Sequence, residues 1–231
     1  MPNDAELLAR YARAGDEGAF AEFVRRYVGL VYLAARRQTA GDAHAAEDVT
    51  QAVFSRLARK AASLAGHGAL AGWLHTTTRY AASEAMRAER RRRVREQEAS
   101  IMQEIIIHDR DENPDWEGLR PVIDGALGEL DERDREVVLL RYFVDLPHAQ
   151  IGVRLAISED AARMRVERAL DRLHAVLARR GVTSTAAALG VVLANQAGAA
   201  AALPAGLAGS VTSAALAGGS GSAGAAIGIM S

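Results

Sequence analysis

Cysteine is absent from the 231 residues, which excludes disulfides, thiolate metal sites and a cysteine nucleophile, and fits a reducing compartment. Aromatic residues amount to only 5%, and lysine is reduced to Lys60, so nearly all positive charge is arginine. No run of period-two alternation appears, which leaves no strand pattern to build a sheet. The opening MPNDAELLARYARAG has neither a basic n-region nor an apolar h-region, so no secretory signal is expected. Residues 182–231 carry no charged residue and no histidine. Asn195, Gln196 and Pro204 interrupt that stretch, and no apolar run in it reaches the roughly 18 residues a membrane span needs. Its alanine and glycine also contribute little transfer free energy. Membrane contact through this tail is therefore a minor expectation, behind low-complexity disorder or a helix docking elsewhere. No glycine-rich phosphate loop, nucleophile–base set or metal-ligand spacing occurs, and the six histidines (44, 67, 75, 108, 148 and 174) are scattered. No enzyme, cofactor or metal is expected.

What remains is 3.6-residue periodicity, which makes the class all-α. The first block, residues 3–96, reads as four helices. Asn3 with Glu6 makes a capping box. A helix from Asp16 to about Arg37 aligns Phe20, Phe23, Val24, Tyr27, Leu30, Val31 and Ala34 on one stripe. A third helix runs from about Ala43 to Leu64, and a fourth from about Leu70 into a run of arginines, beyond a flexible loop at residues 65–68. Residues 97–118, acidic and containing Pro114, read as a linker. The second block, 119–181, starts with Pro121 in a first helical turn, then a helix with Asp131 and Asp134 at its acid-rich start. Residues 182–231 form an Ala/Gly/Ser-rich tail.

Net charge is −1, but the distribution is uneven. Arg87, Arg90, Arg91, Arg92, Arg93 and Arg95 are opposed within their span only by Glu89. A second group comprises Arg163, Arg165, Arg168, Arg172, Arg179 and Arg180, and residues 104–117 are acidic. Such asymmetry suggests two basic surfaces separated by a spacer.

Residues Pro147 to Leu177 carry the most specific signal. A short helix, Ala149 to Leu155, places Ile151 and Leu155 at i,i+4 spacing; a turn follows at Ala156-Ile157, and Ser158 stands as N-cap before Glu159 and Asp160. In the second helix Ala162, Val166, Ala169, Leu170, Leu173, Val176 and Leu177 share a stripe that must face protein. At about 100° per residue the opposite face presents Asp160, Arg163, Met164, Glu167 and Arg168. In a helix-turn-helix those N-terminal positions reach base edges, where arginine reads guanine and glutamate accepts from cytosine. An αα-hairpin with a solvated charged face would show the same pattern.

Both blocks together, about residues 5 to 180, resemble the extracytoplasmic-function sigma factors of the sigma-70 type. The strings are AFAEFVRRYVGLVYLAARR, AEDVTQAVFSRL and LAGWLHTTTRYAASEAMRAERRRR for region 2, and LGELDERDREVVLLRYFVDLPHAQIGVRLAISEDAARMRVERALDRL for region 4. The resemblance implies two all-α domains that dock on core RNA polymerase and read the −10 and −35 promoter elements. It places Asp48, Gln51 and Phe54 against the clamp helices of the polymerase's largest subunit. Asp48 and Gln51 are i,i+3 neighbours on a polar face, whereas Phe54 also suits a core. The loop at residues 65–69 with His67, and the helix start around Trp73, correspond to the reader of the melted −10 strand, which takes unpaired bases by stacking and backbone electrostatics. Trp73 equally suits a helix interface. Arg79, Arg87, Arg90 and Arg91, with the arginines after them, are implied phosphate contacts. Ser158, Arg163, Met164, Arg165, Glu167 and Arg168 take the −35 positions, with Arg165 nearer the buried stripe.

Several positions depart from the family pattern. Tyr80 stands for an asparagine, Gln150 for a frequent glutamate, and Met164 is unusual toward a base. Ala156 replaces a common turn glycine and would be strained by a positive φ. The resemblance implies core RNA polymerase and promoter DNA as partners, leaves room for an anti-sigma factor, and implies a cytoplasmic protein. A helix-turn-helix regulator acting without polymerase, and a tail-tethered signalling protein, are the alternative readings.

Overall fold

In a computed structural model the described residues are 2–99, 120–182, 189–191, 193 and 203–219. Every regular element among them is helical: α1 (Asp4–Ala14), α2 (Glu17–Gln38), α3 (Ala43–Leu64), α4 (Leu70–Ala99), α5 (Arg120–Glu129), α6 (Glu132–Tyr142), α7 (His148–Leu155), α8 (Glu159–Arg179) and α9 (Leu207–Gly219). The expected linker begins inside α4, and its remainder lies outside the described residues.

Local chemistry sets the helix starts. Asn3 and Glu6 close a reciprocal capping box, each side chain accepting from the other's backbone N–H at 2.8 and 2.9 Å. Asp16, Asp42, Asp131 and Ser158 cap α2, α3, α6 and α8, each accepting from the amide three residues on. Gly15 ends α1 with φ +64°, a conformation glycine adopts without a Cβ clash. α4 is different: its start, Ala69-Leu70-Ala71-Gly72, holds no side chain able to cap it.

α1 to α4 pack as the first module, with Phe20, Phe23, Val24, Tyr27, Leu30, Val31 and Ala34 of α2 all buried against α1, α3 and α4. α5 to α8 pack as the second, around Leu127, Val137, Leu139, Ile151, Val166 and Leu173. The two modules share one continuous core, α4 lying on α6 and α2 on α5. The tail takes part as well. Gly190 lies against Leu170 of α8 and the Tyr142 hydroxyl, while Leu189 and Leu193 are buried. Further on, α9 seats Leu207, Val211 and Ala215, spaced i, i+4, i+8, on α3 and α2. Residues 207–219 are thus a helix packed on the first module. No helix among the described residues is long and apolar enough to cross a membrane.

Candidate nucleic-acid and polymerase interface

α7 and α8 form the helix-turn-helix. Between them Ala156 adopts φ +55°, ψ +42°, the left-handed conformation its side chain disfavours. The Ile157 amide then donates to the Gly152 carbonyl at 2.9 Å. Gly152 is obligatory: a Cβ there would lie 2.8 Å from the Ile157 carbonyl oxygen. Sequence reasoning missed this residue, whose signal was an isolated glycine inside a helix pattern. Ser158 Oγ accepts from the Ala161 amide at 3.2 Å and so aims the start of α8. Ile151 is buried, whereas Leu155 is only half-buried.

Asp160, Arg163, Met164, Glu167 and Arg168 are all exposed along one side of α8. Arg163 pairs with Asp160 at 3.2 Å, and Arg168 Nε donates to the Met164 carbonyl at 3.2 Å. Both guanidiniums thus keep to their own helix. Arg165 is half-buried and shares a groove with Asp131, Glu132, Arg133, Asp134, Arg168 and Arg172. The rest of the second arginine group is tied down. Arg172 bonds Asp134 and lies 3.4 Å from Asp131, while Arg179 and Arg180 pair with Glu129. That group is therefore not one basic surface: its C-terminal half braces α8 against α5 and α6.

In the first module Asp48 is exposed, Gln51 is half-buried, and Phe54 is fully buried. Of the two roles left open for Phe54, the core is the one it takes, because it has no surface to offer a partner. Trp73 is half-buried against the core. Arg87, Arg90, Arg91 and Arg92 project from α4 into solvent, Arg92 lying 3.1 Å from Glu89; the side chains of Arg93 and Arg95 lie outside the described residues. Arg79 is half-buried and its guanidinium rests on Gly128 of α5, where any side chain would collide with it. His67 accepts the Ala69 amide on Nδ1 at 3.1 Å and turns Nε2 toward Glu132 at 3.4 Å.

Where the modules meet lies a set of residues that sequence reasoning did not pick out. Asp124 of α5 is fully buried and receives Arg37 Nε and Nη2 at 2.9 and 2.8 Å, Gln38 at 3.0 Å and His75 Nε2 at 3.0 Å. Burial pushes this carboxyl up, but the Arg37 charge and the bonds from His75 and Arg37 outweigh it, holding it well below the usual carboxylate range. Burial lowers the His75 imidazole, with Asp124 opposing. Glu136 of α6 supplies the missing cap of α4, accepting from the Gly72 amide at 2.7 Å and the Ala71 amide at 3.2 Å. Burial raises its carboxyl to about 7 against the pull of those two amides. A third link joins Arg154 of α7 to Tyr27 and Asp4 at 2.7 and 3.1 Å, with Arg26 on the same aspartate at 3.0 Å. Single aspartates, histidines and glutamates carry no periodic signal, so only the capless start of α4 could have pointed to such a partner.

A helical docking module followed by a helix-turn-helix module defines a bipartite, DNA-reading class of protein. Residues 23–92 match the family model of sigma-70 region 2, and residues 126–175 that of sigma-70 region 4. With just over half of its length covered by these two models, the chain belongs to the sigma-70 family. No curated protein matches it. Among solved structures it is similar to the sigma factor RpoE in complex with the anti-sigma factor NepR from Bartonella quintana. Identity there is 21%, over 68% of this chain and 96% of that one, at a TM-score of 0.30. A likeness that low defines no common arrangement of the modules.

Proposed function

We propose that the chain is a sigma factor of the extracytoplasmic-function class, which binds core RNA polymerase and directs it to promoters through separate −10 and −35 contacts. The class is supported by spacing: only residues 93–125 separate the region 2 and region 4 matches, too few for a further domain between them. The −35 reading rests on the outward face of α8, where Arg163, Met164, Glu167 and Arg168 stand exposed behind a Ser158 cap. Asp48 and Gln51 of α3 form the polymerase-docking face. His67 and the loop around it, with Trp73, read the −10 strand, and Arg87, Arg90 and Arg91 contact phosphates. A net charge of −1 suits this role, because polymerase holds both readers at high effective concentration on the promoter. Such a protein works in the cytoplasm and catalyses nothing itself.

The single observation that carries this reading is the open face of α8. Its test is run-off transcription by purified core enzyme over a promoter library. Added protein should select templates sharing two short elements, and selection of none, with no co-purification on tagged core enzyme, would overturn it.

A further inference from the structure

A pocket of about 370 Å³ opens where α4 meets the second module. One face of α4 lines it with Thr76, Arg79, Tyr80 and Ser83, spaced i, i+3, i+4 and i+7, and Arg135 of α6 completes it. Gly128 of α5 lets Arg79 take its place there, because a Cβ at that position would overlap the Arg79 guanidinium. These five polar side chains, two guanidiniums and three hydroxyls, make no hydrogen bond or ion pair with any described residue. Arg135 Nε is buried outright without an acceptor, a state that costs free energy unless something accepts from it.

Carboxylates are close along the chain, but each is committed elsewhere. Glu84, next to Ser83, pairs with Arg56 at 2.6 Å, and Asp124 holds Arg37 at 2.8 Å. Glu129, next to Gly128, takes Arg179 and Arg180, while Glu136, next to Arg135, accepts the Gly72 amide at 2.7 Å. Gln38 closes one edge of the pocket and has given its amide group to Asp124. Two positive charges thus share one concave surface with no acid of the protein's own in it, and their complement is an anion.

Size and chemistry narrow that anion. Small-molecule sites run from about 300 to 1,000 Å³, so this pocket exceeds what a bare inorganic ion needs and admits a phosphate carrying one compact organic group. A phosphomonoester brings roughly −1.5 to −2 charge at pH 7 and three acceptor oxygens, a match for two guanidinium forks with hydroxyls beside them. An internal phosphodiester of a nucleic-acid strand brings a single charge and suits the pair less well. Tyr80 lines the pocket while 66% exposed, so its ring face is open for a base to stack on.

We propose that this pocket binds a nucleoside monophosphate, with the phosphate between Arg79 and Arg135 and the base along Tyr80. The site draws on α2, α4, α5 and α6, so an occupant ties four helices together and stabilises the fold by mass action. It stands apart from the sigma-factor reading, since it needs neither polymerase nor promoter.

Calorimetric titration of the full chain with the four nucleoside 5′-monophosphates, with inorganic phosphate, and with a randomised single-stranded 20-mer lacking a 5′ phosphate separates the sources. At least one monophosphate should bind more tightly than inorganic phosphate and raise the melting temperature as its concentration climbs. Arg135→Gln should weaken that binding at least about tenfold and leave the fold intact, because the side chain makes no bond within the chain. Gly128→Ala should weaken it too, by displacing the Arg79 guanidinium, with no loss of stability, alanine being the better helix former. Arg59→Gln removes the same charge from an exposed position on α3 outside the pocket and should leave binding unchanged. Absence of binding by all four monophosphates, or an equal loss in Arg59→Gln, would overturn the site. Inorganic phosphate binding as tightly as any monophosphate would overturn the nucleoside part. Binding of the 20-mer alone, lost in Arg135→Gln, would give the pocket to a nucleic-acid strand instead and overturn the proposal.

Discussion

The two surfaces proposed to read DNA are built alike and presented oppositely. Each is a helix start behind a short turn, yet α8 is capped by its own Ser158 while α4 is capped by Glu136 from the other module. A self-capped helix keeps its geometry wherever its module goes. A helix capped in trans keeps it only while the modules touch, and loses of order 1 kcal/mol when they part. Autonomy of the proposed −35 reader and dependence of the proposed −10 reader thus follow from which residue precedes each helix: serine in one case, alanine in the other.

The contrast should break most completely at Asp124. Asp124→Ala would leave the buried Arg37 guanidinium and His75 imidazole without their shared acceptor, and removing one partner of such a buried pair typically costs about 3–5 kcal/mol. Urea denaturation should show an unfolding free energy lowered by that amount. The helix-turn-helix, whose α8 is capped by its own Ser158, should keep its proposed −35 preference in transcription by core enzyme. A loss of stability no greater than that of a surface substitution would show that the junction is not held there.

The next effect is one of pH. Glu136 faces the Ala71 and Gly72 amides, with Arg154 and Asp4 acting from farther off, and its carboxyl is raised from 4.5 to about 7. A raised carboxyl means that the folded form binds its proton more tightly than the unfolded one. The stabilisation is therefore complete below about pH 4.5 and falls away as pH climbs through about 7, by roughly 3 kcal/mol. His75 runs the other way: its lowered value gives stability that is present above its ordinary 6.5 and lost below it. Glu136→Gln removes only the first component. Urea midpoints measured from pH 5 to 8 should therefore fall less steeply with rising pH in the variant than in the parent. Parallel curves would show that Glu136 does not titrate across that range.

How far the sequence reached explains itself on the same contrast. Helix limits, caps and the stripe of α2 were legible because each follows from residues three or four apart. The α8 face was legible for the same reason, since burial of Ala162, Val166 and Leu173 forces Arg163, Met164 and Glu167 outward. The junction was not legible. Arg37 and Asp124, or Glu136 and Gly72, are separated by more than sixty residues, and no periodicity links them. Phe54 shows the limit of a resemblance: its place in the motif suited a partner surface, while its packing among α1 to α4 put it in the core. Docking by residues 207–219 stood beside disorder as an open alternative because an alanine- and glycine-rich stripe looks alike whether or not something covers it.

A smaller, purely functional break concerns the open surface. Arg168→Ala takes away a side chain held only by the Met164 carbonyl of its own helix, so the fold should be indifferent. Discrimination between a preferred and a scrambled −35 element should drop by about 1–3 kcal/mol, roughly 5- to 150-fold in initiation rate, with co-purification on core enzyme unchanged. Equal initiation by the unmutated protein from both promoters would remove Arg168 from base reading altogether.

Least in size, and informative because it should touch neither surface, is Ala156→Gly. Alanine at φ +55° carries a Cβ clash worth about 1 kcal/mol, which glycine relieves. Glycine also loosens the unfolded chain, which takes back part of the gain, so a net stabilisation of about 0.5 kcal/mol or less is expected. The turn geometry is already fixed by the Ile157 amide on Gly152 and by the close approach that only a glycine at 152 permits. Relief of strain should therefore leave α8 at its present angle, and −35 preference in transcription should be identical to the parent's. A changed preference would mean that the strained alanine itself sets the angle at which the recognition helix leaves the turn, making residue 156 a determinant of what α8 reads.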